Sequence, residues 1–184
     1  MSNLAANNRH GPLHGLKVLD LTEHLGPFWT LILGDMGAEV IKVERPGQGD
    51  SSRAMGDGSE RNPYFLYISR NKKSLTLDYK TAGGRQVFLR LAKQVDVLVE
   101  NYRPAVMEAQ AWAIRLSRDH PGLIYAQLSG FGFDRPYRDK GGFDLIAQGM
   151  GGIMHVTGAH STCAVMKPKR RAPISGASLL QQSD

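Results

Sequence analysis

A second cysteine is missing. Cys163 stands alone, so no internal disulfide can form, which suits a reducing compartment. Long apolar runs are missing too: none approaches the roughly 18 residues that a membrane helix needs. The opening stretch MSNLAANNRHGPLHG has no apolar h-region, so no secretory signal is visible. Together these absences lead to the expectation of a cytoplasmic protein with no membrane partner. Several catalytic signatures are also lacking. There is no Walker A loop and no G-x-S-x-G elbow. His10, His14, His24, His120, His155 and His160 show neither H-x-x-x-H spacing nor a paired cysteine, so no metal site is expected. Ser129 reads as a small residue in a tight loop, and Cys163, with no base beside it, as an incidental thiol.

What is present is a chain of 184 residues, one domain's worth, 41% hydrophobic and able to bury a core. Half of its net charge of +6 sits in residues 159–184, where Lys167, Lys169, Arg170 and Arg171 face only Asp184. No aromatic residue interleaves this KPKRR cluster, so it reads as a solvated basic tail and nucleic acid is not expected as a partner. The mild positive bias of the remainder suits a phosphate-bearing ligand.

Along the chain, strand and helix patterns alternate. LKVLDL (16–21) reads as a strand, and GPFWTLILGDMGA (26–38) as a helix entered through Pro27. EVIKVE (39–44) is a second strand, and 46–63 a turn-rich loop. KSLTLDYK (73–80) alternates Leu75 and Leu77 with polar neighbours, as a half-buried strand does. GGRQVFLRLAKQ (83–94) is helical, with Val87 and Leu91 four apart, and DVLVEN (96–101) is a strand. The stretch 104–120 is helical, GLIYAQLSGFG (122–132) is a strand, and FDLIAQGMGGI (143–153) is a short helix. This order predicts an α/β fold, a Rossmann-like, mostly parallel sheet with flanking helices. Ligands of such sheets lie at the carboxyl ends of the strands, which singles out Glu44-Arg45, Glu100-Asn101 and SGFG (129–132). Yet the first strand–turn, LDLTEHLGPF, lacks G-x-G-x-x-G, which argues against NAD and leaves Glu44 as a solvated strand-end acid.

Six blocks in fixed order carry a more specific message. They are LKVLDLTEHLGPF, LILGDMGAEVIKVERPGQGD, RNKKSLTLDYKT, DVLVENYRPAVME, HPGLIYAQLSGFG and GGFDLIAQGMGGIMHVTG. Over residues 11–158 the chain closely resembles the N-terminal part of the class III coenzyme A transferases, the family of formyl-CoA transferase and the carnitine-CoA transferases. The resemblance implies a Rossmann-like domain at 11–158 that is incomplete. A flexible N-terminus at 1–10 and a divergent basic tail at 159–184 flank it. It implies coenzyme A or an acyl-CoA as substrate, a carboxylic acid as the other partner, and no tightly bound cofactor. Arg45 is then expected to face the nucleotide part of CoA, where a guanidinium can stack on adenine and pair with phosphate. Leu77, Asp78, Tyr79 and Lys80 would line the adenine and phosphates. Asn101, Tyr102 and Arg103 would lie near the pantetheine. Leu25, in the loop that meets the thioester, and Ser129, Gly130, Phe131 and Gly132 complete the expected CoA-binding set. Leu77 would also belong to the core.

The family's nucleophile is an aspartate a short way after the TG of the VTG block, and it forms a covalent aspartyl-CoA thioester. After Thr157-Gly158 the first aspartate here is Asp184, which lacks the surrounding pattern, so no catalytic residue is assigned. The related α-methylacyl-CoA racemases carry histidine where this chain has Phe143, which favours the transferase. Two further departures stand out: EHLGPF is one residue short, and EAQAWAIRLSRDH lacks the family's Gly-Leu-Gly-Tyr segment, weakening Ala109 and Gln110 as contacts. Family members are about twice as long and form interlocked homodimers through a return segment absent from this chain. The expectation is a truncated or frame-shifted reading of a longer gene: a CoA-transferase part, or a non-catalytic fragment that binds an acyl-CoA or a protein partner.

Overall fold

The computed structural model describes residues 11–55, 62–103, 116, 118–134 and 136–156. Termini 1–10 and 157–184, and with them Thr157-Gly158, Cys163, the basic cluster and Asp184, fall outside the described residues, as does most of the helix expected over 104–120. The chain divides into two units, Met1–Asn101 with Ala111–Gln127, and Tyr102–Gln110 with Leu128–Asp184.

The first unit is built on five strands, β1 (Lys17–Asp20), β2 (Glu39–Glu44), β3 (Lys72–Thr76), β4 (Val97–Glu100) and β5 (Ile124–Gln127). All neighbours pair in parallel, in the order β3-β2-β1-β4-β5. Val18 stands opposite both Val40 and Val97, so the centre of the sheet is β-branched on three adjacent strands. Inner strands covered on both faces need apolar residues at successive positions rather than alternation. Val18, Leu19, Val97, Leu98 and Val99 are accordingly all buried.

Helices α1 (Pro27–Asp35), α2 (Pro63–Ile68) and α3 (Ala82–Ala92) supply the cover. Pro27 opens α1 as the sequence leads one to expect, and α1 buries Thr30, Leu31 and Gly34. In α3 the deep contacts come from Phe88 and Ala92. The four-residue spacing read from Val87 and Leu91 is right, but the buried stripe lies one position on, and those two are half-buried. Within the loop expected over 46–63 a 3-10 turn forms at Ser51–Ala54, and α2 begins at Pro63. Asn62 caps α2 by accepting from the N–H groups of Tyr64 and Phe65, with Pro63 in the first turn. β3 stops at Thr76, short of the expected 80, because the Asp78 carboxylate accepts the Lys80 N–H and turns the chain. Leu77 is only half-buried there, so it is not the core residue expected. β5 likewise ends at Gln127, before SGFG.

In the second unit the described helices are α4 (Asp144–Met150) and α5 (Ile153–Val156). Among the described residues, no helix is long and apolar enough to cross a membrane.

Candidate functional site

In this strand order the sheet reverses direction at β1, whose neighbours β2 and β4 lead off to opposite sides. The crevice beyond such a reversal is where doubly wound folds bind ligands. A dinucleotide fold presents the backbone N–H groups of a glycine turn there. Here the Thr22, Glu23 and Gly26 N–H groups are already used. Asp20, fully buried at the end of β1, accepts from the Thr22 N–H (2.9 Å) and the Thr22 hydroxyl (2.5 Å) through Oδ1. Its Oδ2 accepts from the Thr30 hydroxyl (2.6 Å) and from Lys72 Nζ (3.0 Å). Burial alone would raise the Asp20 carboxyl. The ammonium groups of Lys42 and Lys72 and the threonine hydrogen bonds outweigh it and hold the group below its ordinary value. Burial pulls Lys72 below its ordinary value, and Asp20 opposes that pull.

The loop between β1 and α1 is braced from four further directions. Lys42 Nζ donates to the Thr22 carbonyl (2.7 Å) while pairing with Asp50 Oδ2 (2.6 Å), and Lys72 Nζ donates to the Pro27 carbonyl (2.6 Å). The Asn101 side-chain amide, just past β4, accepts the Glu23 N–H (2.9 Å) and donates to the Glu23 carbonyl (2.7 Å). The Tyr64 hydroxyl donates to the His24 carbonyl (3.0 Å), and His24 sits at φ 58°, the left-handed region. The missing glycine fingerprint therefore has a physical counterpart: the loop is a side-chain-supported turn, not a pyrophosphate cradle. Leu25 is half-buried within it.

At the end of β2 the chain doubles back through a turn in which Arg45 pairs with Gly49. Gly47 and Gly49 both hold positive φ, and a Cβ on Gly49 would come within 2.7 Å of the Arg53 side chain. Glu44 is buried, not the solvated acid expected. Its carboxylate accepts two hydrogen bonds from the Arg53 guanidinium (2.6 and 2.8 Å), one from the Ser74 hydroxyl (2.7 Å) and one from the Asp50 N–H (2.9 Å). Burial would raise this acid, but these partners bring it down to about 2. Arg53 in turn lies 3.8 Å from the Phe65 ring centroid. Arg45 points differently: its side chain is 52% exposed, and Nη2 donates to Glu23 Oε1 at 2.6 Å. A shallow depression opens there, lined by Arg45 and the Gly47–Gly49 turn together with Glu44, Arg53, Ser74 and Thr76. Pairing of β2 with β3 brings the 77–80 segment to the same end, where the Leu77 N–H donates to the Glu44 carbonyl (2.9 Å). Asp78 and Lys80 are exposed, while Tyr79 leans on Phe88 with centroids 5.8 Å apart.

The low value of Glu44 has a consequence for pH. A carboxyl that drops from 4.5 to about 2 on folding contributes stability that is complete above 4.5 and disappears as pH falls toward 2. Asp35 and Glu39, lowered by Arg70 and Lys73 on the surface, share the direction. Urea midpoints measured between pH 5 and pH 2.5 are expected to fall less steeply for Glu44→Gln than for the parent chain. Parallel curves would show that Glu44 does not titrate in this window.

In the second unit Tyr102 is half-buried and Arg103 exposed, its guanidinium beside Gly141. The SGFG segment is held by a close backbone approach: a Cβ on Gly130 would lie 2.5 Å from the Gly142 Cα. Gly132 has φ +75°, Phe131 meets Tyr137 edge-on at 5.6 Å, and the buried Ser129 hydroxyl has no hydrogen-bond partner among the described residues. Thus Leu25, Arg45, Leu77, Asp78, Tyr79, Lys80 and Asn101 share the first unit, and Tyr102, Arg103 and Ser129–Gly132 belong to the second. Residue patterns alone missed Asp20, Glu23, Lys42, Arg53 and Lys72. One signal was available: a lysine inside the apolar strand EVIKVE has to find a buried acid.

Comparison with known proteins agrees with this architecture. The family model described as CoA-transferase family III matches residues 13–175. The succinyl-CoA:glutarate CoA-transferase of Homo sapiens is 43% identical over 156 residues, covering 82% of this chain and 35% of its own length. The acetyl-CoA:oxalate CoA-transferase of Acetobacter aceti is 44% identical over 151 residues, covering 80% and 39%. Among solved structures, a hypothetical protein of Mycobacterium tuberculosis superposes with a TM-score of 0.77 at 35% identity, covering 94% of this chain and 49% of that one. A CAIB/BAIF family protein of Brucella suis gives 0.75 at 32% identity, covering 95% and 49%. The chain spans 35% to 39% of the length of these two curated relatives.

Proposed function

The chain belongs to CoA-transferase family III, and on that premise we propose that it holds the CoA moiety of an acyl-CoA for transfer to a carboxylic acid. Residues 11–158 form the CoA-binding domain in this reading, followed by a basic tail. The nucleotide end of CoA lies at the carboxyl ends of β2 and β3, with Arg45 pairing with phosphate and stacking on adenine. Leu77, Asp78, Tyr79 and Lys80 line that end. Asn101, Tyr102 and Arg103 face the pantetheine, and Leu25 and Ser129–Gly132 lie toward the thioester. CoA is a substrate, no cofactor is held tightly, the protein acts in the cytoplasm, and the whole transferase is a homodimer.

One observation carries the reading. At this end of the sheet Lys42 and Lys72 are buried in ion pairs, and Arg53 is committed to Glu44 by two hydrogen bonds. Arg45 is paired too, with Glu23 at 2.6 Å, but that pair lies at the surface, the Arg45 side chain is 52% exposed, and it lines the glycine-turn depression. Isothermal titration of the 184-residue chain with CoA tests it. Saturable binding is expected, weakened roughly tenfold or more in Arg45→Ala, as loss of a charge-assisted hydrogen bond implies. Equal affinity in the variant, or no saturable binding by the parent, overturns the reading.

A further inference from the structure

We infer that Glu23 sets the affinity of the Arg45 site by acting as a built-in competitor for the ligand's phosphate, an inference that rests on the proposed binding of CoA at Arg45. The contact has the geometry of a substitute anion. The Glu23 carboxylate oxygen Oε1 accepts from Arg45 Nη2 at 2.6 Å, the kind of contact a phosphate oxygen makes with a guanidinium. The two partners are unequally fixed. The Arg45 side chain is half exposed, whereas that of Glu23 is 16% exposed. Its backbone is clamped at both N–H and carbonyl by the Asn101 amide. Adjacent Thr22 is tied to Asp20 and Lys42. The loop therefore cannot swing away to clear the arginine. A phosphate arriving at Arg45 meets a carboxylate that stays in place, and either shares the cation against like-charge repulsion or draws the arginine off.

Glu23 is thus a specificity-determining residue. It discriminates by charge: a dianionic phosphate overcomes the resident carboxylate, and a monoanionic carboxylate ligand of equal strength does not. The Asn101 clamp on the loop does not depend on the Glu23 side chain, since Asn101 reaches only backbone atoms of that residue.

Four proteins decide the matter by calorimetric titration with CoA: the parent chain, Glu23→Gln, Arg45→Ala and the double variant. Glu23→Gln is expected to bind about two- to fivefold more tightly than the parent, the range of an exposed ion pair. The gain is expected to vanish in the Arg45→Ala background. A fifth protein, Glu23→Asp, which keeps the charge but withdraws the carboxylate by one methylene, is expected to fall between the parent and Glu23→Gln. A Glu23→Gln variant that binds no more tightly, while Arg45→Ala still weakens binding, overturns the competitor role and leaves the CoA site standing. A gain that persists without Arg45 overturns it as well, reducing Glu23 to a general contribution of charge. Absence of binding in all four removes the CoA site and this role together.

Discussion

Replacing Asp20 by alanine is expected to lower the unfolding free energy by about 3–5 kcal/mol, the loss seen when one partner of a buried ion pair is removed. The reason lies in what is left behind. Lys72 Nζ would keep the Pro27 carbonyl and the Thr30 hydroxyl but no counter-charge, with its side chain 1% exposed. Thr22 would lose the acceptor for both its N–H and its hydroxyl. Against a typical total of roughly 5–15 kcal/mol, such a loss makes much of the population unfold at moderate temperature. Adding Lys72→Met to Asp20→Ala is expected to cost far less than Lys72→Met alone, because the stranded ammonium is then gone. Urea unfolding of the three variants measures this. A loss under about 1 kcal/mol for Asp20→Ala would mean that water reaches the pair and that the loop does not depend on it.

Phe88→Ala is expected to cost about 3–5 kcal/mol, the range for emptying a large aromatic site in a packed core. Phe88 is completely buried beneath the sheet, and its ring is also the surface on which Tyr79 rests. The substitution therefore reaches beyond stability. Tyr79 loses its support, and the 77–80 segment proposed to line the nucleotide loses an anchor. Val87→Ala, one position away and half-buried, is the control and is expected to cost about 1 kcal/mol. Equal losses for the two would place the buried stripe of α3 where the sequence pattern had put it.

That one-position offset shows what a sequence carries and what it leaves open. Periodicity reports that apolar residues recur every four positions. It cannot report which of two adjacent stripes faces the sheet, since Val87/Leu91 and Phe88/Ala92 have the same spacing. The strands were legible for a different reason. Parallel strands covered on both faces are rich in apolar residues at successive positions, so the Val40-Ile41-Val43 run framed by Glu39 and Glu44 reads to the residue. α2 is hidden although its signal is standard, an asparagine cap followed by proline, because Asn62-Pro63 serves equally well as the end of a turn-rich loop. Glu44 and Asn101 were recognised as strand-end residues, yet their partners were not. Glu44 is defined by Arg53 and Ser74, nine and thirty positions away, and Asn101 by Glu23, seventy-eight positions away. No local pattern encodes such pairs. The membership of the family was legible because it resides in six ordered blocks, and the match over residues 13–175 spans all of them.

The central position of β1 carries a message about time. The strand made first needs β2 on one side and β4 on the other, and its β4 partners lie about eighty residues downstream, as Val18 with Val97. A ribosome adding about 5–20 residues per second delivers that second neighbour several seconds after the first strand emerges. Until then an apolar ribbon is flanked on one side only, and closing so distant a pairing is slow. During synthesis, the span between the arrival of β2 and that of β4 is when one edge of β1 stands without its neighbour.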